Sequence, residues 1–133
     1  MDHHYRLMRA LVSVTEDLER IVPPDETIVL VDDDAWGWQW GPPGTMAGRP
    51  ALLFFARDGH FWGRPRDDEE AIAELERCVG AGGRYLVFAR EARWWLDHYQ
   101  RFATHVRHHS QVVLDSDHMT VYEVGPRLER SAV

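Results

Sequence analysis

Four groups of residues in this chain carry side chains able to do chemistry, and each follows a short apolar run. Asp32, Asp33, Asp34 and Trp36 follow IVLV at 28–31; Arg57, Asp58, His60 and Trp62 follow ALLFFA at 51–56. Arg90, Glu91 and Trp94 follow YLVFA at 85–89, and Asp115, Asp117 and His118 follow QVVL at 111–114. Carboxylates are hard oxygen ligands suited to Mg²⁺ or Mn²⁺, and Asp32-Asp33-Asp34 contains a DxD, the spacing that holds a divalent cation against a diphosphate. A small metal-dependent transferase or hydrolase of sugar or phosphate groups would use Asp32, Asp34, Asp58 and His60. Three acids at a strand end are also what a solvated turn with a capped loop looks like, and the sequence favours that plainer reading, so no metal and no cofactor is assigned.

Tryptophan is the second source of chemistry, with six in 133 residues. Trp95 falls on an apolar helical stripe and reads as core. Trp36, Trp38, Trp40 and Trp62 fall in loops, where a large flat side chain either folds back as a plug or stands out to stack on a sugar, a base or a partner protein. Other motifs are weaker. No GxGxxG follows the first apolar run, and GAGGR at 80–84 ends a helix instead of opening one, so it cannot present amides to a phosphate. Cys78 reads as a core residue, Ser110 and Ser116 lack a nucleophile-elbow context, and His98, Arg101 and His105 read as solvated helix surface. The adjacent pairs His3-His4 and His108-His109 lack the spacing that sets two imidazoles on one helical face.

The elements that must position these groups are legible from periodicity. Residues 3–22 read as an amphipathic helix on Met8, Leu11, Val12, Leu18, Ile21 and Val22, stopped by Pro23-Pro24. A strand follows at 27–31, apolar without alternation, as strands covered on both faces are. The glycine- and proline-rich stretch 33–50 reads as a long loop of the kind that forms lids or binding sites. Residues 51–56 form the second strand. Asp67 caps a helix with Glu70 completing a capping box, and Gly80, Gly82 and Gly83 end it. A third strand at 85–89, a continuous helix at 91–107 and a hairpin of 111–114 with 119–124 complete the order α, β, β, α, β, α, β, β.

That order predicts an α/β fold: a three-layer α/β/α sandwich, Rossmann-like, with a mostly parallel sheet of about five strands and an antiparallel C-terminal edge strand. Residues 1–124 are expected to form one domain and 125–133 a flexible tail. Ligands of open parallel sheets bind beyond the carboxyl ends of the strands, so all four polar groups are expected to share one rim.

Composition bounds the function. The chain carries a net charge of −7, and all 15 of its basic residues are arginine, scattered among acids, which argues against a nucleic-acid partner. One cysteine excludes an internal disulfide and fits a reducing, cytoplasmic setting; no apolar stretch is long enough for a membrane span.

The wording VDDDAWG at the first strand end, ARDGHFWG before the acidic capped helix, and the WWLDHY helix resemble a small α/β accessory module attached to bacterial glycan-assembly glycosyltransferases and methyltransferases. The chain is also distantly similar to the soluble C-terminal domain of lipid-linked-sugar membrane glycosyltransferases. The resemblance spans roughly residues 22–124. It implies a non-catalytic role beside a catalytic domain in surface-polysaccharide synthesis, and carries over no catalytic residue. The expectation is therefore a binding module presenting Asp32, Asp33, Asp34, Trp36, Arg57, Asp58, His60, Trp62, Arg90, Trp94, Asp117 and His118 to a carbohydrate, a nucleotide-sugar or a glycan-assembly enzyme. The small metal enzyme is the alternative, and a homodimerisation domain is the third reading.

Overall fold

The computed structural model describes residues 2–33, 35–36, 44–57, 60–61 and 63–124. Asp34, Trp38, Trp40, Asp58, Trp62 and the tail 125–133 lie outside the described residues, as do the side chains of Arg57 and His60. The element order is α1 (Asp2–Ile21), β1 (Thr27–Val31), β2 (Thr45–Met46), β3 (Arg49–Leu53), β4 (Ala56–Arg57), β5 (His60–Phe61), α2 (Asp68–Gly80) and β6 (Gly83–Ala89). A 3-10 turn (Arg90–Ala92), α3 (Trp95–His98), α4 (Gln100–His109), β7 (Gln111–Asp115) and β8 (Met119–Glu123) follow.

The fold is mixed α/β. Its main sheet is open and six-stranded, in the order β2-β3-β1-β6-β8-β7, where about five strands were expected; β4 and β5 form a separate two-stranded ribbon. β1 pairs in parallel with β3 and β6, while β8 runs antiparallel to both β6 and β7. β1, β3, β6 and β7 thus point one way. The antiparallel C-terminal strand is not the edge: β8 inserts between β6 and β7, because its apolar residues Met119, Val121 and Tyr122 need cover on both faces, whereas β7 exposes Val112 and Val113. A bulge between Val112 and Leu114 interrupts that exposed edge, which blunts it against further strand pairing.

Alternation along the strands divides two apolar cores. Val29, Val31, Leu86 and Phe88 pack with Leu75 and Cys78 of α2 and Phe102 and Val106 of α4. Ile28, Leu30, Tyr85 and Val87 pack with Leu11, Val14 and Leu18 of α1. This two-sided cover is why β1 is continuously apolar. On α1 the buried stripe is Leu11, Val14, Leu18 and Val22; Met8 and Val12, expected on it, are exposed, since they lie on neighbouring sides of the helix. Gly83 opens β6 where a Cβ would lie 2.5 Å from Val29 Cγ2 and 2.9 Å from the Cys78 carbonyl, so glycine lets the end of α2 close onto β1.

Three boundaries differ from expectation. The 33–50 stretch contains β2 and the start of β3, joined by a turn at Ala47-Gly48 in which both residues have positive φ. The second strand ends at Leu53, two residues before Phe55 adopts φ 57, so it starts and stops earlier than 51–56. The third helical stretch is broken at Tyr99 (φ −95, ψ 81) rather than continuous. The apolar periodicity survives the break because Trp95, Tyr99, Phe102 and Val106 all reach the same core.

Candidate functional site

The crossover through α2 carries the chain from β3, on one side of β1, to β6 on the other, so the strand order switches direction at β1. The crevice outside the carboxyl ends of strands at such a switch is where α/β sheets bind ligands. Asp32 and Asp33 leave β1 there. Arg90 and Trp94 leave β6 beside them, and the β7–β8 connection closes the row, since Ala89 pairs with Met119 and Thr120 with Asp115.

The aspartates divide their labour. Asp32 is buried, and its Oδ2 accepts the Trp36 N–H at 3.2 Å while its carbonyl accepts from Ala35 N at 2.9 Å. It caps the turn that ends β1. Asp33 sits in the left-handed region (φ 52), which an aspartate tolerates better than most residues, and this turns its carboxylate along the rim. There Arg64 donates to it from Nε and Nη2, both at 3.0 Å, and the Trp94 indole N–H donates to Oδ2 at 3.2 Å. The Arg64 guanidinium also lies 4.9 Å from the centroid of the Trp94 ring. Hydrogen bonding to Asp33 and its charge raise the pKa of Arg64, so the cation is permanent. Trp94 is 36% exposed, and His98 and Tyr99 continue the aromatic surface behind it, with ring centroids 5.7 and 6.2 Å away.

The fourth group joins by backbone. Arg90 N donates to the His118 carbonyl at 2.9 Å, and Arg93 donates to the Ser116 carbonyl and lies 3.9 Å from Asp115. Asp117 is exposed and His118 half-buried. Arg57 and His60 have described backbone only, on the β4–β5 ribbon; that ribbon is a separate sheet, so this group does not simply extend β3.

Trp36, read from the sequence as either a folded-back plug or a stacking residue, is 3% exposed and belongs to the core against α1, where the turn capped by Asp32 folds it back under the sheet end. Three residues that sequence reasoning passed over matter more. Arg64 follows Gly63 just before the capped helix, and its neighbour Arg66 was the only local hint of a basic pair. Phe55 also has positive φ, and its N–H donates to Glu74 Oε2 at 2.8 Å. Tyr99 donates its hydroxyl to the Pro65 carbonyl at 2.6 Å, tying the Arg64 segment to the aromatic one.

Cys78 and Asp67 take the places expected of them. Cys78 is buried, and burial pushes its thiol up to about 12. Asp67 caps α2, accepting from Glu70 N at 2.9 Å, with the reciprocal bond running from Arg66 N to Glu70 rather than from Asp67 N. Among the described residues no group of three or more His, Cys, Asp and Glu side chains is gathered for a metal ion, and no helix is long and apolar enough to cross a membrane. No protein-family model matches the chain, and no curated protein or solved structure matches it closely enough to count as a relative.

Proposed function

We propose that this chain is a non-catalytic binding module whose rim, at the carboxyl ends of β1 and β6, receives a carbohydrate or nucleotide-sugar, or a partner protein presenting one. The observation that carries the reading is the Asp33–Arg64–Trp94 cluster. A half-exposed indole is oriented by a hydrogen bond on one edge, and a guanidinium is fixed beside it, which together offer stacking and directed polar contacts in one place. The carboxylates argue for binding over catalysis. Asp32 is committed to a turn and Asp33 to a two-pronged arginine pair, so neither is placed as a nucleophile or general base. The metal-enzyme alternative loses Asp32 as a ligand for the same reason.

The Rossmann-like, three-layer description of the scaffold belongs to the same proposal; its support is the apolar core on each sheet face and the crossover through α2. The glycan-assembly setting and the cytoplasmic location draw their support from the wording of residues 22–124 and from cysteine usage. The test is a fluorescence titration with neutral sugars and nucleotide-sugars. A saturable change lost in Trp94→Ala is expected; a flat titration up to about 10 mM, well above the weakest affinities such sites show, would sink the proposal.

A further inference from the structure

Beside the rim, between α2 and residues 63–66, lies a cavity of about 490 Å³ bordered by Phe55, Gly63 and three arginines, Arg64, Arg66 and Arg77. Each guanidinium is held by a carboxylate along its Nε edge. Arg64 is bound by Asp33, Arg66 donates from Nε to Glu70 at 2.9 Å, and Arg77 donates from Nε and Nη2 to Glu74 at 2.8 and 2.7 Å. None of these contacts uses Nη1, which has no protein acceptor among the described residues on any of the three. Carboxylates here orient the cations without exhausting their donors. Asp33, Glu70 and Glu74 balance the three cations one for one, so what the cavity offers an anion is the outer Nη1 donors rather than a surplus of positive charge.

Phe55 supplies the other half of the site. A bulky residue at φ 57 is strained, and it is held there by its N–H bond to Glu74, the carboxylate that also orients Arg77. Burial pushes the Glu74 carboxyl upward, but the bonds from Arg77 and Phe55 outweigh it and keep its pKa below the ordinary value. One anion therefore fixes both a cation and an aromatic side chain at the cavity.

We infer that this cavity binds a small phosphate-bearing molecule, with the phosphate oxygens on the outer donors of Arg64, Arg66 and Arg77 and a flat organic part against Phe55. A carboxylate has two oxygens and satisfies one fork, whereas a phosphomonoester or diphosphate has enough to engage three. The volume exceeds that of a bare anion and falls in the range of small-molecule sites. The inference deepens the rim reading through the shared Arg64, but the anion site does not need Trp94 to bind anything.

The test is thermal shift and calorimetry on the full chain with inorganic phosphate, pyrophosphate and uridine diphosphate, each against sodium chloride of equal ionic strength. Saturable binding is expected for pyrophosphate and tighter binding for uridine diphosphate. Arg66→Ala, at a side chain 84% exposed and so harmless to folding, should weaken both at least tenfold, with Glu69→Ala unchanged as control. Phe55→Leu should weaken uridine diphosphate alone. Stabilisation no larger than that from sodium chloride, or binding indifferent to Arg66→Ala and Arg77→Ala alike, overturns the inference. Equal affinity for pyrophosphate and uridine diphosphate overturns the role of Phe55. Phosphate binding that persists while neutral sugars and nucleotide-sugars alike leave the fluorescence flat would remove the rim reading and leave this site standing.

Discussion

The Trp94 indole donates its N–H to Asp33 Oδ2 at 3.2 Å across 61 positions of sequence, and Arg64 Nη2 donates to the same oxygen at 3.0 Å. One aspartate in a left-handed turn thus gathers a cation from the segment before α2 and an aromatic from the segment after β6. The carboxyl ends of β1 and β6 are neighbours, so the contact follows from strand order.

If Arg64 covers the Trp94 ring as its 4.9 Å approach implies, removing it uncovers an indole. Arg64→Ala is expected to raise the fraction of tryptophan emission quenched by acrylamide. The increment should vanish when Trp94→Phe is added. An unchanged Stern–Volmer slope in the single variant would show that the two side chains do not pack.

Arg49 anchors α1. It is 8% exposed and donates to the Val22 carbonyl at 3.0 and 2.7 Å and to the Glu19 carbonyl at 3.2 Å, covering carbonyls at the C-terminal end of α1, and to the Ala47 carbonyl of the β2–β3 turn at 2.7 Å. Arg49→Met should cost about 2 kcal/mol in urea unfolding, the usual penalty for orphaning buried acceptors. Arg49→Lys should recover only part of it, since one ammonium cannot fork across three carbonyls. A loss under about 0.5 kcal/mol, the scale of ordinary surface changes, would mean that water replaces the guanidinium.

His105 and His109 lie together on α4 with ring centroids 4.5 Å apart and planes tilted by 48°, a pair one helical turn apart that adjacent-residue reasoning overlooks. His105 Nε2 is buried without a hydrogen-bond partner among the described residues and lies 4.0 Å from Glu76 of α2. Burial, then the charges of His109 and His108, lower its pKa below 6.5, and Glu76 only partly opposes them. The unfolded chain therefore takes up this proton at a higher pH than the folded one. Above the unfolded value the residue is neutral in both states and costs nothing; as the pH falls below it the folded state loses stability. The melting temperature should drop between about pH 7 and 5, and His105→Gln should flatten that drop. Identical pH profiles for the two proteins would show that His105 is solvated after folding.

Much of the fold was readable from the chain because the relevant forces are local. The stops at Pro23-Pro24, the Asp67 cap, and the strands at 27–31 and 85–89 follow from caps, glycines and apolar runs that act within a few residues. The neighbouring starts of the groups after β1 and β6 followed from the parallel pairing of those strands, whereas the group after the second strand leaves it for the β4–β5 ribbon. The break at Tyr99 was hidden because a kinked helix keeps the same apolar spacing. The fate of Trp36 was hidden because a tryptophan in a loop looks alike whether it plugs a core or faces solvent.

The amino-acid sequence by itself determined the first helix, the capped helix α2, the strands at 27–31 and 85–89 and the double-sided burial of β1, since periodicity and capping are properties of neighbouring residues. Only the tertiary structure decided that β8 would lie inside the sheet, that Asp32 would be spent on a turn, and that Asp33 would meet Arg64 and Trp94. Those outcomes depend on which distant segments compete for the same buried surface and the same carboxylate, and no local pattern encodes the winner.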